Sequence, residues 1–258
     1  MNAKRMVLIA TCLCIAGHVF GSSIDDKESK LVLAAMARTP TDGHPDEFGE
    51  FAGMQYYARG EYEKAIRYFE YGARYADKLS QLSIGLMYLN GEGVERNPVT
   101  AYAWLALAAE RHFPRFVATR DAVWSELDAT QREQARAELL RLTAEYGDAV
   151  AKPRMERALR RGRSEMTGSL VGYGGTGVVS VTVGQFINAL PPNMANARLA
   201  PSPLPACSAR TIDDARIPGC GDLYAKWRWD PKEYFYVRDA AWTGTVNVGE
   251  PEAAEGKP

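Results

Sequence analysis

Asp222, Asp230, Tyr234 and Asp239 are the side chains whose types and spacing come nearest to a reactive site. They lie among Tyr224, Trp227 and Trp229, and an aromatic, acidic stretch of this kind suits carbohydrate contact, with carboxylates as general acids or bases. That leaves open an enzyme acting on cell wall, lipid or protein. Other arrangements point away from catalysis. Gly172, Gly174 and Gly177 satisfy the letter of G-x-G-x-x-G, but a basic helical stretch precedes them and a valine-rich strand pattern follows, whereas a pyrophosphate site needs a strand before and a helix after. No G-x-S-x-G, P-loop lysine or H-E-x-x-H occurs. The pairs Asp25-Asp26 and Asp213-Asp214 read as loop or cap residues, and His44 and His112 as structural or surface residues. No catalytic residue, cofactor or metal ligand is therefore assigned.

Cys207 and Cys220, thirteen positions apart, are the cysteines left once the first 21 residues are set aside. Those 21 residues carry Lys4 and Arg5, then an apolar run of about a dozen residues, then Val19-Phe20-Gly21, and read as a cleavable export signal. The run is shorter than the roughly 20 residues of a membrane span, and lipoprotein processing at Cys12 is disfavoured because Thr11 is bulky and little apolar sequence precedes it. A periplasmic or secreted location follows, where Cys207 and Cys220 are expected to form a disulfide. Cleavage moves the formal charge from −1 to −3, and neither value suggests a nucleic-acid partner.

The elements that must position these residues are mostly helical. In the stretch 82–112, Leu82, Gly85, Leu86 and Leu89 share one helical face, Asn90-Gly91-Glu92-Gly93 ends that helix, and Asn97-Pro98 caps the next. Ala101, Trp104, Leu105 and Ala108 then return at helical spacing, which predicts a helical hairpin with small residues at its crossing. A weaker copy precedes it. Ala65 and Tyr68 align with Ala101 and Trp104 at an offset of 36, while Gly53 and Tyr56 align with Gly85 and Tyr88 at 32, so the four extra residues fall in the turn. Phe116 to Leu127, then Asp128 with Gln131 as a capping box and a helix to Gly147, predict a third, degenerate hairpin that caps the array. An earlier helix within 22–38 ends at Thr39-Pro40.

The stretch LSIGLMYLNGEGVERNPVTAYAWLALAAERH resembles a Sel1-like repeat, the tetratricopeptide-related unit in which small-Leu-Gly-x-Met-Tyr is followed by Gly-x-Gly-Val, Ala-x-x-Trp and Ala-Ala. Gly85, Met87, Tyr88, Gly91, Gly93, Val94, Ala101, Trp104, Ala108 and Ala109 occupy those positions. The copy upstream, with its short turn at Arg59-Gly60-Glu61, is closer to an ordinary tetratricopeptide unit, and His112 stands where the family usually has glycine. The resemblance covers 46–147 with declining strength. It implies a mainly α fold, a short helical-hairpin solenoid, whose partners are proteins or peptides. Tyr88 and Trp104 are read as filling the gap between hairpins, and Tyr57 as the better surface candidate for a partner.

The remaining chain is less regular. Lys152 to Arg163 is basic, and Arg157, Arg160 and Arg161 could meet an acidic partner or an anionic envelope surface, or form a solvated helix or linker. Residues 166–258 are read as a separate, glycine- and proline-rich α+β region after a repeat domain at 22–165. It would have strands near Val179–Val183 and Thr243–Val248, a short helix after Asp230-Pro231 and a frayed end. The reading that joins signal, repeats and missing catalytic motifs is an exported interaction scaffold, an adaptor or a toxin-neutralising immunity protein. The envelope enzyme is the alternative.

Overall fold

The computed structural model describes residues 27–167, 183, 226–240 and 242. After α1 (Lys27–Arg38), the chain forms three successive helical pairs, α2 (Pro45–Ala58) with α3 (Tyr62–Ala73), α4 (Lys78–Asn90) with α5 (Pro98–Ala108), and α6 (Pro114–Glu126) with α7 (Ala129–Tyr146). A longer helix, α8 (Asp148–Thr167), follows, and α9 (Pro231–Ala240) lies in the C-terminal segment. The first pair meets the second through α3 and α4, and the second meets the third through α5 and α7. Ala65, Ile66 and Phe69 of α3, Ala103, Trp104 and Leu107 of α5 and Leu142 of α7 share one core.

The two offsets found in the sequence are the geometry of the first two pairs. A Cβ on Gly53 would meet the Phe69 ring at 2.5 Å, and one on Gly85 would meet Leu105 Cγ at 2.7 Å. Phe69 and Leu105 are themselves 36 apart, so each pair crosses where a glycine of its first helix receives a bulky residue of its second. Gly49 and Gly72 bring α2 and α3 closer still, for a Cβ on Gly49 would lie 2.3 Å from the Gly72 amide. Ala65 and Ala101, one offset apart, are both fully buried.

Local signals set the helix ends. Gly91 takes φ +76° as the left-handed cap of α4, and Asn97 Oδ1 accepts from the amides of Val99 and Thr100 at 3.1 Å to start α5. Asp128 and Gln131 form the expected reciprocal capping box of α7. Ala76 and His112, again 36 apart, both adopt positive φ, +67° and +59°. Each is the hinge that turns the chain into the next pair, so His112 sits in the conformation for which glycine is suited.

The Lys152–Arg163 stretch is helical and belongs to α8, which buries Ala151, Met155, Leu159 and Gly162 on one face. The strands expected near 179–183 and 243–248 lie outside the described residues, except for Val183. Val183 is helical rather than extended, and it is buried against Val32, Met36 and Phe51.

Candidate functional site

The repeat-motif residues are spent on packing. Gly85 admits Leu105, Trp104 is buried with its ring 4.7 Å from Tyr146 of α7, and Tyr88 packs on the same core, so both aromatics fill gaps between hairpins. Ala101, Ala108 and Ala109 are buried in the α5 layer. Gly93 (φ +70°) lets its turn press on the start of α3, where a Cβ would fall 2.5 Å from the Tyr62 carbonyl carbon. Tyr57 is half-buried there. Its hydroxyl donates to Glu92 Oε2 at 3.0 Å and its ring leans on Tyr62. Burial and the Glu92 carboxylate push its pKa well above the ordinary phenol value and keep the phenol protonated as the donor of that bond.

Arg157, Arg160 and Arg161 stand on the solvent side of α8, opposite Met155 and Leu159, with Arg160 3.6 Å from Glu156. Arg154 instead donates to the Arg74 and Glu145 carbonyls and pins α8 to the array.

The acidic tail residues have structural partners. Asp230 Oδ1 accepts from the amides of Lys232 and Glu233 and caps α9. Tyr234 is fully buried and donates to Asp46 Oδ2 at 2.7 Å, and Asp239 pairs with Arg111 at 2.7 Å. Asp222, Cys207 and Cys220 lie outside the described residues. So do residues 1–26, where the export signal is expected.

These contacts belong to an interface that the sequence did not announce. Residues 226–240 and Trp242 dock across the ends of α2, α4 and α6 and against Met155 and Leu159 of α8, and the attachment runs through side chains. Arg228 forks onto both carboxylate oxygens of Glu47, at 2.8 and 3.4 Å, with both residues almost wholly buried. Arg238 reaches Glu50 Oε2 at 2.7 Å and Asp77 Oδ1, with Asp46 Oδ2 at 3.7 Å from its Nε. His44 Nε2 faces the Arg228 carbonyl at 3.0 Å and Nδ1 that of Asp42 at 2.9 Å, while Trp229 meets the His44 ring edge-on. Trp242 packs on Phe116 of α6. Alongside, Arg111 holds Asp148 with two bonds, and Lys78 joins Glu110 and Asp148.

Burial sets the protonation states. It raises Asp46, and with the neighbouring Asp77 it pushes Glu50 up to about 8, so Glu50 is protonated at neutral pH. Burial and the Arg228 guanidinium push His44 down to about 4, which leaves it neutral, so one of its two carbonyl contacts is a hydrogen bond at a time. Burial pushes Asp148 up, but Arg111 and Lys78 outweigh it and hold that carboxyl well below its ordinary range. The cleft beside Arg238 and Asp239 measures about 10 Å³, room for a single water and far below the roughly 300 Å³ at which small-molecule pockets begin. Among the described residues no group of His, Cys, Asp and Glu is arranged to hold a metal, and no helix is long and apolar enough to cross a membrane.

A faint signal for the interface was present: Asp46, Glu47 and Glu50 flank Gly49 and Gly53, on a helix whose glycines mark close packing. Acids at such positions require partners. Two segments of the chain, 52–74 and 78–113, match the family described as Sel1 repeat; they fall on the first two helical pairs. No curated protein matches the chain.

Proposed function

From a chain that carries Sel1 repeats, we infer a protein–protein interaction scaffold, exported to the bacterial envelope or beyond, that serves as an adaptor or neutralises a toxin. The observation that carries this reading is the repeat itself. Its motif residues are consumed in hairpin packing, as in stacked arrays whose remaining surface is available to partners. The structural engagement of Asp230, Tyr234 and Asp239 weighs against the alternative, an envelope enzyme built on them. The expected disulfide between Cys207 and Cys220 would close a loop just before the docked tail, and the exposed Arg157, Arg160 and Arg161 offer a second contact to an acidic partner or anionic surface.

Crosslinking in living cells tests the scaffold. One dominant protein should be captured from the envelope, and recovery of none counts against the reading. Unchanged gel mobility on thiol reduction, together with free thiols at both cysteines, would remove the bridge. Should Asp222→Ala, Asp230→Ala or Asp239→Ala abolish a phenotype while the fold is retained, the enzyme alternative would gain ground.

A further inference from the structure

The tail interface joins an apolar cluster, Tyr234 with Met155 and Leu159 of α8, to a set of buried charges that a core does not need. Four carboxyl groups, Asp46, Glu47, Glu50 and Asp77, face two guanidiniums, those of Arg228 and Arg238. Asp46 Oδ1 is buried without a hydrogen-bond partner and borders the cleft, and Arg228 Nε is buried and unpartnered too. An interface built for stability alone would be apolar, since a buried ion pair seldom exceeds well-packed hydrophobic side chains in stability but does select its partner. Its occupant is a short helical segment joined to α8 through 58 intervening residues, 168–225. The surface is composite, with residues of α2, the Asp77 cap of α4, the edge of α6 and the apolar face of α8 meeting one peptide-sized element.

We propose that this acidic surface is a docking site for a basic, aromatic helix of a partner protein, that the tail occupies it as an intramolecular ligand, and that the partner binds by displacing the tail. The tail shows what the site reads: an arginine, a tyrosine six positions on and a second arginine four further, at Arg228, Tyr234 and Arg238. Because the tail belongs to the same chain, its rebinding is intramolecular and sets a threshold for any competitor. A competitor must therefore bind more tightly than the tail does, which excludes weak basic peptides and admits a partner that supplies further contacts. This rests on the scaffold reading above and names the surface and the chemistry of its partner.

The test uses the full chain with a specific protease site placed between Pro201 and Pro205, cut after folding, and a fluorescent peptide of residues 222–245 as probe. Anisotropy should show at least tenfold more uptake by the cut chain than by the intact one, and loss of uptake when the peptide carries Arg228→Ala and Arg238→Ala. Equal, negligible uptake by both chains would overturn the proposal. So would collapse of helical circular dichroism on cutting, because the tail would then be part of the core. In cells, Arg238→Ala in the full chain should raise the crosslinking yield of the partner. An unchanged yield of the same partner defeats displacement but leaves the scaffold standing, whereas absence of any partner defeats the scaffold and leaves the peptide exchange as a separate result.

Discussion

Glu50 is a carboxylic acid held in its neutral form by burial beside Asp77, Arg238 and Glu47, and its behaviour with pH can be worked out. Its folded pKa of about 8 lies above the ordinary 4.5, so the native chain retains a proton that the unfolded chain has released. This contribution is fully favourable below 4.5 and is eroded as pH rises through 8. His44 acts in the opposite sense. Its folded value of about 4 lies below 6.5, so it costs stability as pH falls through that window, and it is neutral in both states above pH 7. Stability should therefore fall by roughly 1 kcal/mol between pH 7 and 8. Urea melts at the two pH values should show that slope in the wild type and not in Glu50→Gln, whose amide keeps the neutral shape. A second residue carries backbone strain. His112 is exposed with φ +59°, so His112→Gly should stabilise by about 0.5–1 kcal/mol, read as an upward shift of the urea midpoint with unchanged slope.

Helices and turns were the legible part of the sequence, because their signals are local. The capping box at Asp128 and Gln131, the Gly91 cap and the Asn97-Pro98 start each depend on residues within about four positions, the two repeat offsets compare such local patterns, and each appears where the spacing put it. The close approach of α2 and α3 depends on glycines that no cap or turn requires. Gly49→Ala places a methyl 2.3 Å from the Gly72 amide and 2.7 Å from the Tyr68 carbonyl oxygen, both backbone, so the helices must separate. Its cost should reach about 3 kcal/mol or more, at the upper end of overpacking. Gly60→Ala, at an open turn with φ +73° and nothing within 4 Å, should cost only about 1 kcal/mol from backbone strain. Thermal melts of the two variants, each beside the wild type, separate packing from strain.

At the scale of the molecule, the C-terminal segment and the first repeat are one electrostatic unit across more than 180 residues of sequence. That is why the acids of α2, a faint signal in the sequence, do not name their partner. Asp46, Glu47 and Glu50 look like a solvated helix face until Arg228 and Arg238 are known to lie against them, and a helical period carries no information about a partner so far along the chain. The division at residue 166 followed a real change in composition, yet residues 226–240 and Trp242 dock on the repeats that precede it. The Glu47–Arg228 pair, both members at most 1 % exposed, allows the dependence to be measured. Removing one partner strands a buried charge, so Glu47→Leu and Arg228→Met should each cost about 3–5 kcal/mol, whereas the double replacement puts two apolar side chains in the same space and should return to within about 1–2 kcal/mol of the wild type. A double-mutant cycle on denaturant midpoints reads the difference. Strong coupling with recovery in the double variant means that the tail and α2 unfold together. If the two costs simply add, the segments are energetically independent, and the fork seen between them does not hold the tail.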